Sequence, residues 1–315
     1  MKNNINIGVS SCLLGDKVRY DGGHKHDPYI TGTLGNFFNF VSVCPEVECG
    51  LPVPREAMRL EGDPENPKLM TNKTGKDLTG QMLKYCRDRV EKLAGDDLCG
   101  FIFKKDSPSS GLFRVKVYGS GPPVRNGRGL FAAEFVKKFP LVPVEEEGRL
   151  HDPVIRENFI ERVFAFRRWK DFLKENTGYG GLVDFHTRHK LLIMSHSVKM
   201  YRESGSLIAG GSKMKRTDIL NQYEKIFMEA LAVTATLKKH TNVLMHIMGY
   251  FKKQLTSEEK KETLDLIERY RQRQLPLIVP VTMLNHYVKK YKQDYLMKQF
   301  YLLPHPAELM LRNHV

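Results

Sequence analysis

Asn4-Ile5-Asn6-Ile7-Gly8-Val9-Ser10, running straight into Ser11-Cys12-Leu13-Leu14-Gly15, is the stretch that decides the fold. A short apolar run that halts at small polar residues and a glycine reads as a buried strand meeting its loop. Phe38 to Val43 repeats the arrangement and ends at Cys44-Pro45-Glu46. Leu98 to Lys104 does so again and runs into Asp106-Ser107-Pro108-Ser109-Ser110-Gly111. Between the second and third runs, Gly80 to Leu93 carries Met82, Leu83, Cys86, Val90 and Leu93 at helical spacing, with Asp77 or Thr79 as its expected cap. Leu112 to Tyr118 alternates with the period of a further strand. Strands alternating with helices imply an α/β domain with a mostly parallel sheet.

Working outward, functional loops of such a sheet lie beyond the carboxyl ends of its strands. Cys12, Cys44 and the Ser107–Gly111 loop each follow a strand directly, so they are expected on one rim. Cys49 joins that rim if its loop curls back. Cys99 opens its strand and falls at the opposite end, while Cys86 lies on the apolar face of its helix as a small core residue. All five cysteines fall in the first hundred residues. The paired-cysteine signature of structural zinc is absent, and thiol ligands scattered over separate loops suit a cluster held at a sheet edge.

The second half has a different texture. Asp184 to Tyr201, Thr217 to Leu237, Asn242 to Lys253, Ser257 to Arg273 and Val281 to Leu296 show three- and four-residue apolar spacing, and Ser257-Glu258-Glu259-Lys260 gives one of them a capped, acidic start. The expected architecture is an α/β N-terminal domain (1–145), whose pattern breaks from Pro140 and Pro143 onward, a connection (146–180) that includes Pro153 and a basic aromatic helix around Trp169, and an all-α C-terminal domain (181–315).

The net charge is +14, with +3 in residues 1–150 and +11 in residues 151–315. A basic domain behind a near-neutral one points to a polyanion held by the second and processed by the first. Lys213, Lys215, Arg216, Lys238, Lys239, Lys252, Lys253, Arg269, Arg271, Arg273, Lys289, Lys290 and Lys292, interleaved with Tyr201, Tyr223, Tyr250, Phe251, Tyr270, Tyr287 and Tyr291, suit phosphate contacts and base stacking in structured RNA. His186, His189 and His196 share one helical face, where contacts between helices or with RNA are expected. No apolar window is long enough for a membrane helix, and Met1 to Ile5 opens no signal core, so a soluble, cytoplasmic chain is expected.

Several of these stretches are familiar as a set. Ser10-Ser11-Cys12-Leu13-Leu14-Gly15, Val18-Arg19-Tyr20-Asp21-Gly22-Gly23, Cys44-Pro45-Glu46-Val47, Gly50-Leu51-Pro52, Pro54-Arg55 and Ser107-Pro108-Ser109-Ser110-Gly111 resemble, in order, the TudS-type thiouracil desulfidase domain. Phe185-His186-Thr187-Arg188-His189-Lys190 and Leu311-Arg312-Asn313-His314 resemble the YbgA-type helical domain, and the combination resembles the RudS group, which removes sulfur from 4-thiouridine in tRNA. The resemblance implies a [4Fe–4S] cluster held by three cysteines, one iron being left open for the thiocarbonyl sulfur, and exchange of sulfur for oxygen without net redox change. It implies Cys12 and Cys44 as cluster ligands, Glu46 as the catalytic acid/base and Ser107 as a substrate-side hydroxyl. The third cluster cysteine is expected after Ser-Pro-Ser, where this chain has Ser110. Cys49 is the expected replacement; Cys99, an oxygen ligand at Ser110 and loss of the cluster are the alternatives. The substrate implied is tRNA or another thiolated pyrimidine.

Overall fold

The structure, a computed structural model, describes residues 5–314; Met1 to Asn4, with the start of the first expected strand and of the stretch weighed as a signal sequence, lie outside the described residues, as does Val315. The chain divides into two compact units, 1–152 and 153–315.

In the first unit, strands β1 (Asn6–Ser10), β2 (Asn39–Val43), β5 (Leu98–Phe103) and β8 (Val144–Glu146) form a parallel sheet in the order β2-β1-β5-β8. Ser10 pairs in register with Val43, and Val9 with Ile102, so three strands end on one line. A smaller mixed sheet, β4-β3-β6-β7, contains β3 (Met58–Glu61), β4 (Lys68–Thr71), β6 (Val115–Tyr118) and β7 (Val124–Gly127). The alternating run expected over 112–118 belongs to this second sheet. Helices α1 (Pro45–Glu48), α2 (Thr79–Leu93) and α3 (Leu130–Lys138) complete the unit.

Its core is aromatic. Phe101 and Phe103 project from the same face of β5, stack at 4.2 Å between centroids and pack against Phe131 and Phe135 of α3. Phe101 also lies against the centre of β1. A Cβ on Gly8 would stand 2.1 Å from its ring, so β1 can carry only glycine there.

The second unit is mainly helical: α4 (Pro153–Glu175), α5 (Gly178–His196), α6 (Val198–Gly210), α7 (Arg216–Ala232), α8 (Leu237–Gly249), α9 (Ser257–Arg271), α10 (Ile278–Lys290) and α11 (Asp294–Met297). The stretch expected as a connection, 146–180, is therefore mostly α4, which packs on α7 within this unit. Pro153 opens that helix, where a missing N–H costs nothing, instead of breaking it. Trp169 is fully buried among Phe172, Phe185, Tyr223 and Phe227. The single helix expected over 184–201 is two, because Ser197 turns extended and its hydroxyl caps α6 at Met200. Thr256, not Ser257, caps α9, in a reciprocal capping box with Glu259.

The chain end is drawn into the unit by charge. Arg312 is buried and bonds Glu157, Glu161 and the carbonyl of Tyr301; His196 bonds Glu161 and His314 bonds Glu157. Burial alone would push the Glu161 carboxyl up; His196 and Arg312 outweigh it and hold the group well below its ordinary value. Arg312→Ala leaves two buried carboxylates short of a cation, and a loss of about 3 kcal/mol or more of unfolding free energy is expected in urea titrations.

Four histidines are buried and held in the neutral state by desolvation: His186 down to about 4 beside Lys190, His240 to about 3 between Arg312 and the two glutamates, His189 well below its usual value near Arg168 and Arg188, and His305 lowered near Arg312. In the unfolded chain they take protons near pH 6.5. The unfolded state then binds more protons below that pH, so stability present above it is lost as pH falls toward the folded values. The limit is about 1.4 kcal/mol per histidine per pH unit. Urea unfolding at pH 7.5 and 5.5 should show an earlier transition at the lower pH; an unchanged midpoint would contradict this account.

Candidate active site

The carboxyl ends of β2, β1 and β5 open onto a cavity of about 400 Å³ lined by Cys12, Cys44, Glu46, Arg55, Lys104 and Ser107–Ser110. The rim is stitched by hydroxyls: Ser42 Oγ donates to Ser11 Oγ at 2.7 Å, and Lys104 N donates to Ser10 Oγ at 2.9 Å. Residues far apart in sequence thus meet because their strands are neighbours.

The Ser107–Gly111 loop is held from two sides. Backbone N–H groups at the start of α3 donate into it, Leu130 to Pro108 O and Phe131 to Ser109 O. These are donors a helix end leaves unpaired, and the loop carbonyls satisfy them. At Gly129 a Cβ would lie 2.5 Å from the Ser109 carbonyl carbon, so only glycine permits this approach. On the exit side, the buried Glu146 accepts from Leu112 N and Phe113 N at 2.9 and 3.0 Å; burial raises its carboxyl against these two bonds.

Glu46 is fixed at both oxygens. Arg55 pairs with Oε2, its Nε donating at 2.9 Å, and Ser109 Oγ donates to Oε1 at 2.8 Å. Ser107 Oγ lies 3.0 Å from Ser109 Oγ. A carboxylate and two hydroxyls therefore form one hydrogen-bonded line along the cavity wall. Arg55 was legible only as part of the Pro54-Arg55 motif, and Ser109 only as the middle of Ser-Pro-Ser; neither was singled out for this role.

Cys12 and Cys44 line this cavity, their thiols raised by burial, Cys12 to about 11 despite nearby Lys104. Cys49 does not join them. Its thiol is directed to Glu46 O at 3.2 Å and it lines a separate hollow with Gln81, Lys84, Tyr85 and Arg89. The short helix α1 separates it from Cys44, whose thiol is still near enough to act on it electrostatically. Cys86 and Cys99 are buried in the core. Ser110, at the third expected position, is buried and lines the same cavity as the two cysteines. Among the described residues, no three His, Cys, Asp or Glu side chains group to hold a single metal ion.

In the second unit the interleaved aromatics are mostly core: Tyr223, Phe251, Tyr270 and Tyr287 are buried, while Tyr250 is exposed and stacks on Tyr295. Base stacking by most of that set is thereby removed. His186, His189 and His196 make the expected contacts between helices, to Tyr223 on α7, to Arg168 on α4 and to Glu161 on α4. No described helix is long and apolar enough to cross a membrane.

Fold and site together define an α/β domain with a thiol-, hydroxyl- and carboxylate-lined cavity, followed by a helical domain. Residues 7–147 match the family described as 2-thiouracil desulfurase, and residues 190–306 match a family described as a protein of unknown function, DUF1722. The uncharacterized protein YbgA of Escherichia coli (strain K12) is 33% identical over 153 residues, 48% of this chain and 90% of YbgA. A solved structure, the [4Fe-4S]-dependent thiouracil desulfidase TudS, is 28% identical and overlaps 48% of this chain and 95% of its own, with a TM-score of 0.37. The chain belongs to the YbgA family and carries, in residues 7–147, a match to the 2-thiouracil desulfurase family.

Ser109→Ala removes one bond to Glu46 and leaves the loop's backbone anchors in place. Turnover of a thiouracil substrate should fall about tenfold, the equivalent of one hydrogen bond to a charged group, with an unchanged urea midpoint. Wild-type turnover in that variant would remove Ser109 from the site.

Proposed function

We propose that the chain is a desulfidase that replaces the thiocarbonyl sulfur of a thiolated uracil by oxygen, with 4-thiouridine in tRNA as its substrate. One observation carries this reading: Cys12, Cys44, Glu46, Ser107 and Ser110 line a single cavity at the ends of three adjacent parallel strands. The +11 charge of residues 151–315 supports an RNA substrate over a free base.

The donor set around the cavity is two thiols and one hydroxyl, soft at two corners and hard at the third. That chemistry fits an iron–sulfur cluster better than a hard cation. Cys12, Cys44 and Ser110 would hold it; Cys49, turned away to the Glu46 carbonyl, has no part in this reading. When bound, the cluster supplies a soft Lewis acid for the thiocarbonyl sulfur.

The protein's own groups handle water and protons. Glu46 Oε1 accepts a proton from the water whose oxygen bonds to the ring carbon as the C=S bond breaks. The sulfur leaves as hydrogen sulfide, and both water protons are accounted for with no electron gained or lost. Arg55 on Oε2 keeps the carboxylate aimed, and the Ser109–Ser107 hydroxyl pair carries the proton along the wall. Lys104, paired with Glu147, borders the same cavity.

Anaerobically reconstituted protein should carry iron and acid-labile sulfide, lost in Cys44→Ala and kept in Cys49→Ala, and should release sulfide from 4-thiouridine-containing tRNA. Release from free 2-thiouracil but not from tRNA would reassign the substrate. No sulfide from either, with iron present, would falsify the desulfidase reading.

A further inference from the structure

We propose that the second unit binds a phosphate oxyanion in the cavity formed between α4 and α5, where Arg168 and Arg188 present N–H groups that no protein atom accepts. This cavity, about 250 Å³, is lined by both arginines, His189, Phe300 and the rim acids Glu175 and Asp184. It lies wholly within residues 153–315, so the inference stands apart from the sulfur chemistry.

The hydrogen-bond inventory carries the argument. Arg168 Nε donates to His189 Nε2 at 3.0 Å and Nη1 donates to Pro304 O at 2.7 Å, but its Nη2 is buried with no acceptor. Arg188 Nε is buried without an acceptor as well. Buried N–H groups of charged side chains are rarely left so, because each forfeits its hydration. The orphaned groups belong to two guanidiniums that share one aromatic neighbour: their central carbons lie 4.1 and 4.9 Å from the Phe300 ring centroid.

The charges point the same way. Arg168 has only neutral partners: His189 contacts Phe185 O through Nδ1, which leaves Nε2 as the acceptor, and desolvation keeps that ring uncharged. Of the acids nearby, Asp171 is taken by Arg167 at 2.7 Å, while Asp184 stands 3.7 Å from Arg188 Nη1 and is exposed, as is Glu175. Burial lowers Arg168 to about 9 and Arg188 adds to the lowering, against the buried Glu161 carboxylate, which raises it without a hydrogen bond to the guanidinium. A tetrahedral oxyanion offers acceptors in several directions and meets guanidinium forks from two side chains at once, which suits a phosphate. Its source is an RNA phosphodiester or a free phosphate monoester.

The test uses the full chain and inorganic phosphate. Thermal unfolding should shift upward with phosphate beyond the effect of chloride at equal ionic strength. Titration calorimetry should show phosphate affinity falling at least tenfold in Arg188→Gln, a side chain that is partly exposed. Arg188→Lys, which keeps the charge and loses the fork, should fall with it and guards against a folding defect. Filter binding of tRNA over a salt series then separates the sources. A log–log slope reduced by about one in Arg188→Gln assigns the site to RNA backbone, whereas an unchanged tRNA isotherm assigns it to a free phosphate monoester. Absence of phosphate stabilisation, or wild-type phosphate affinity in both Arg188 variants, overturns the proposal.

Discussion

The packing of β1 between β2 and β5 is the constraint on which the first unit depends. Gly8 admits the Phe101 ring against the middle of the strand, and the same ring anchors α3 through Phe131 and Phe135. Helix α3 in turn offers its first N–H groups to the Ser107–Gly111 loop. A single close approach in the core is thereby transmitted to the cavity wall. The parallel register adds the rest, because strands that end together release their loops together. Side chains drawn from residues 12, 44 and 107–110 need no long-range folding signal beyond strand order.

Much of this was legible in the sequence for a physical reason. The two central strands, Asn6–Ser10 and Leu98–Phe103, are buried almost throughout and read as near-continuous apolar runs, and the half-buried edge strand Asn39–Val43 still showed through Phe40, Val41 and Val43, so the rim stood out with them. The small mixed sheet did not, since β3, β4 and β7 are four residues long and rich in Lys, Arg, Glu and Asn. Helix α4 was read around Trp169, but its start was hidden behind Pro153, whose meaning depends on which residue of a helix it occupies. At the site, residue types were readable while directions were not. Cys49 is five residues past Cys44 yet lines a different hollow, its thiol directed to the Glu46 carbonyl across a short helix. The Arg55 and Ser109 contacts to Glu46 depend on loops folding back, which spacing does not encode.

The two units use buried charge in opposite ways. In the first, Arg55 and Glu46 complete each other beside a cavity, with the second carboxylate oxygen held by Ser109. In the second, Arg312 satisfies two glutamates and ties the chain end into the helices, a structural use of charge. Arg168 breaks that economy by resting on a neutral imidazole and a carbonyl. The excess positive charge of residues 151–315 is thus not all solvated surface; part of it, at Arg168 and Arg312, is turned inward.

Ser110 bears on how far the first unit's chemistry can drift. The loop that carries it is shaped by Glu146, by the start of α3 and by Gly129, and its backbone N–H goes to Ser107 Oγ at 3.1 Å. Serine and cysteine differ by one atom at that corner, so placing oxygen where the resembled family has sulfur leaves the loop's frame untouched. What changes is donor hardness: an oxygen holds iron less readily than a thiolate and cannot share charge with a cluster in the same way. Geometry and donor strength are therefore separable here, and the fold preserves the hydrogen-bonded wall of Glu46, Ser109 and Ser107 whichever atom stands at residue 110.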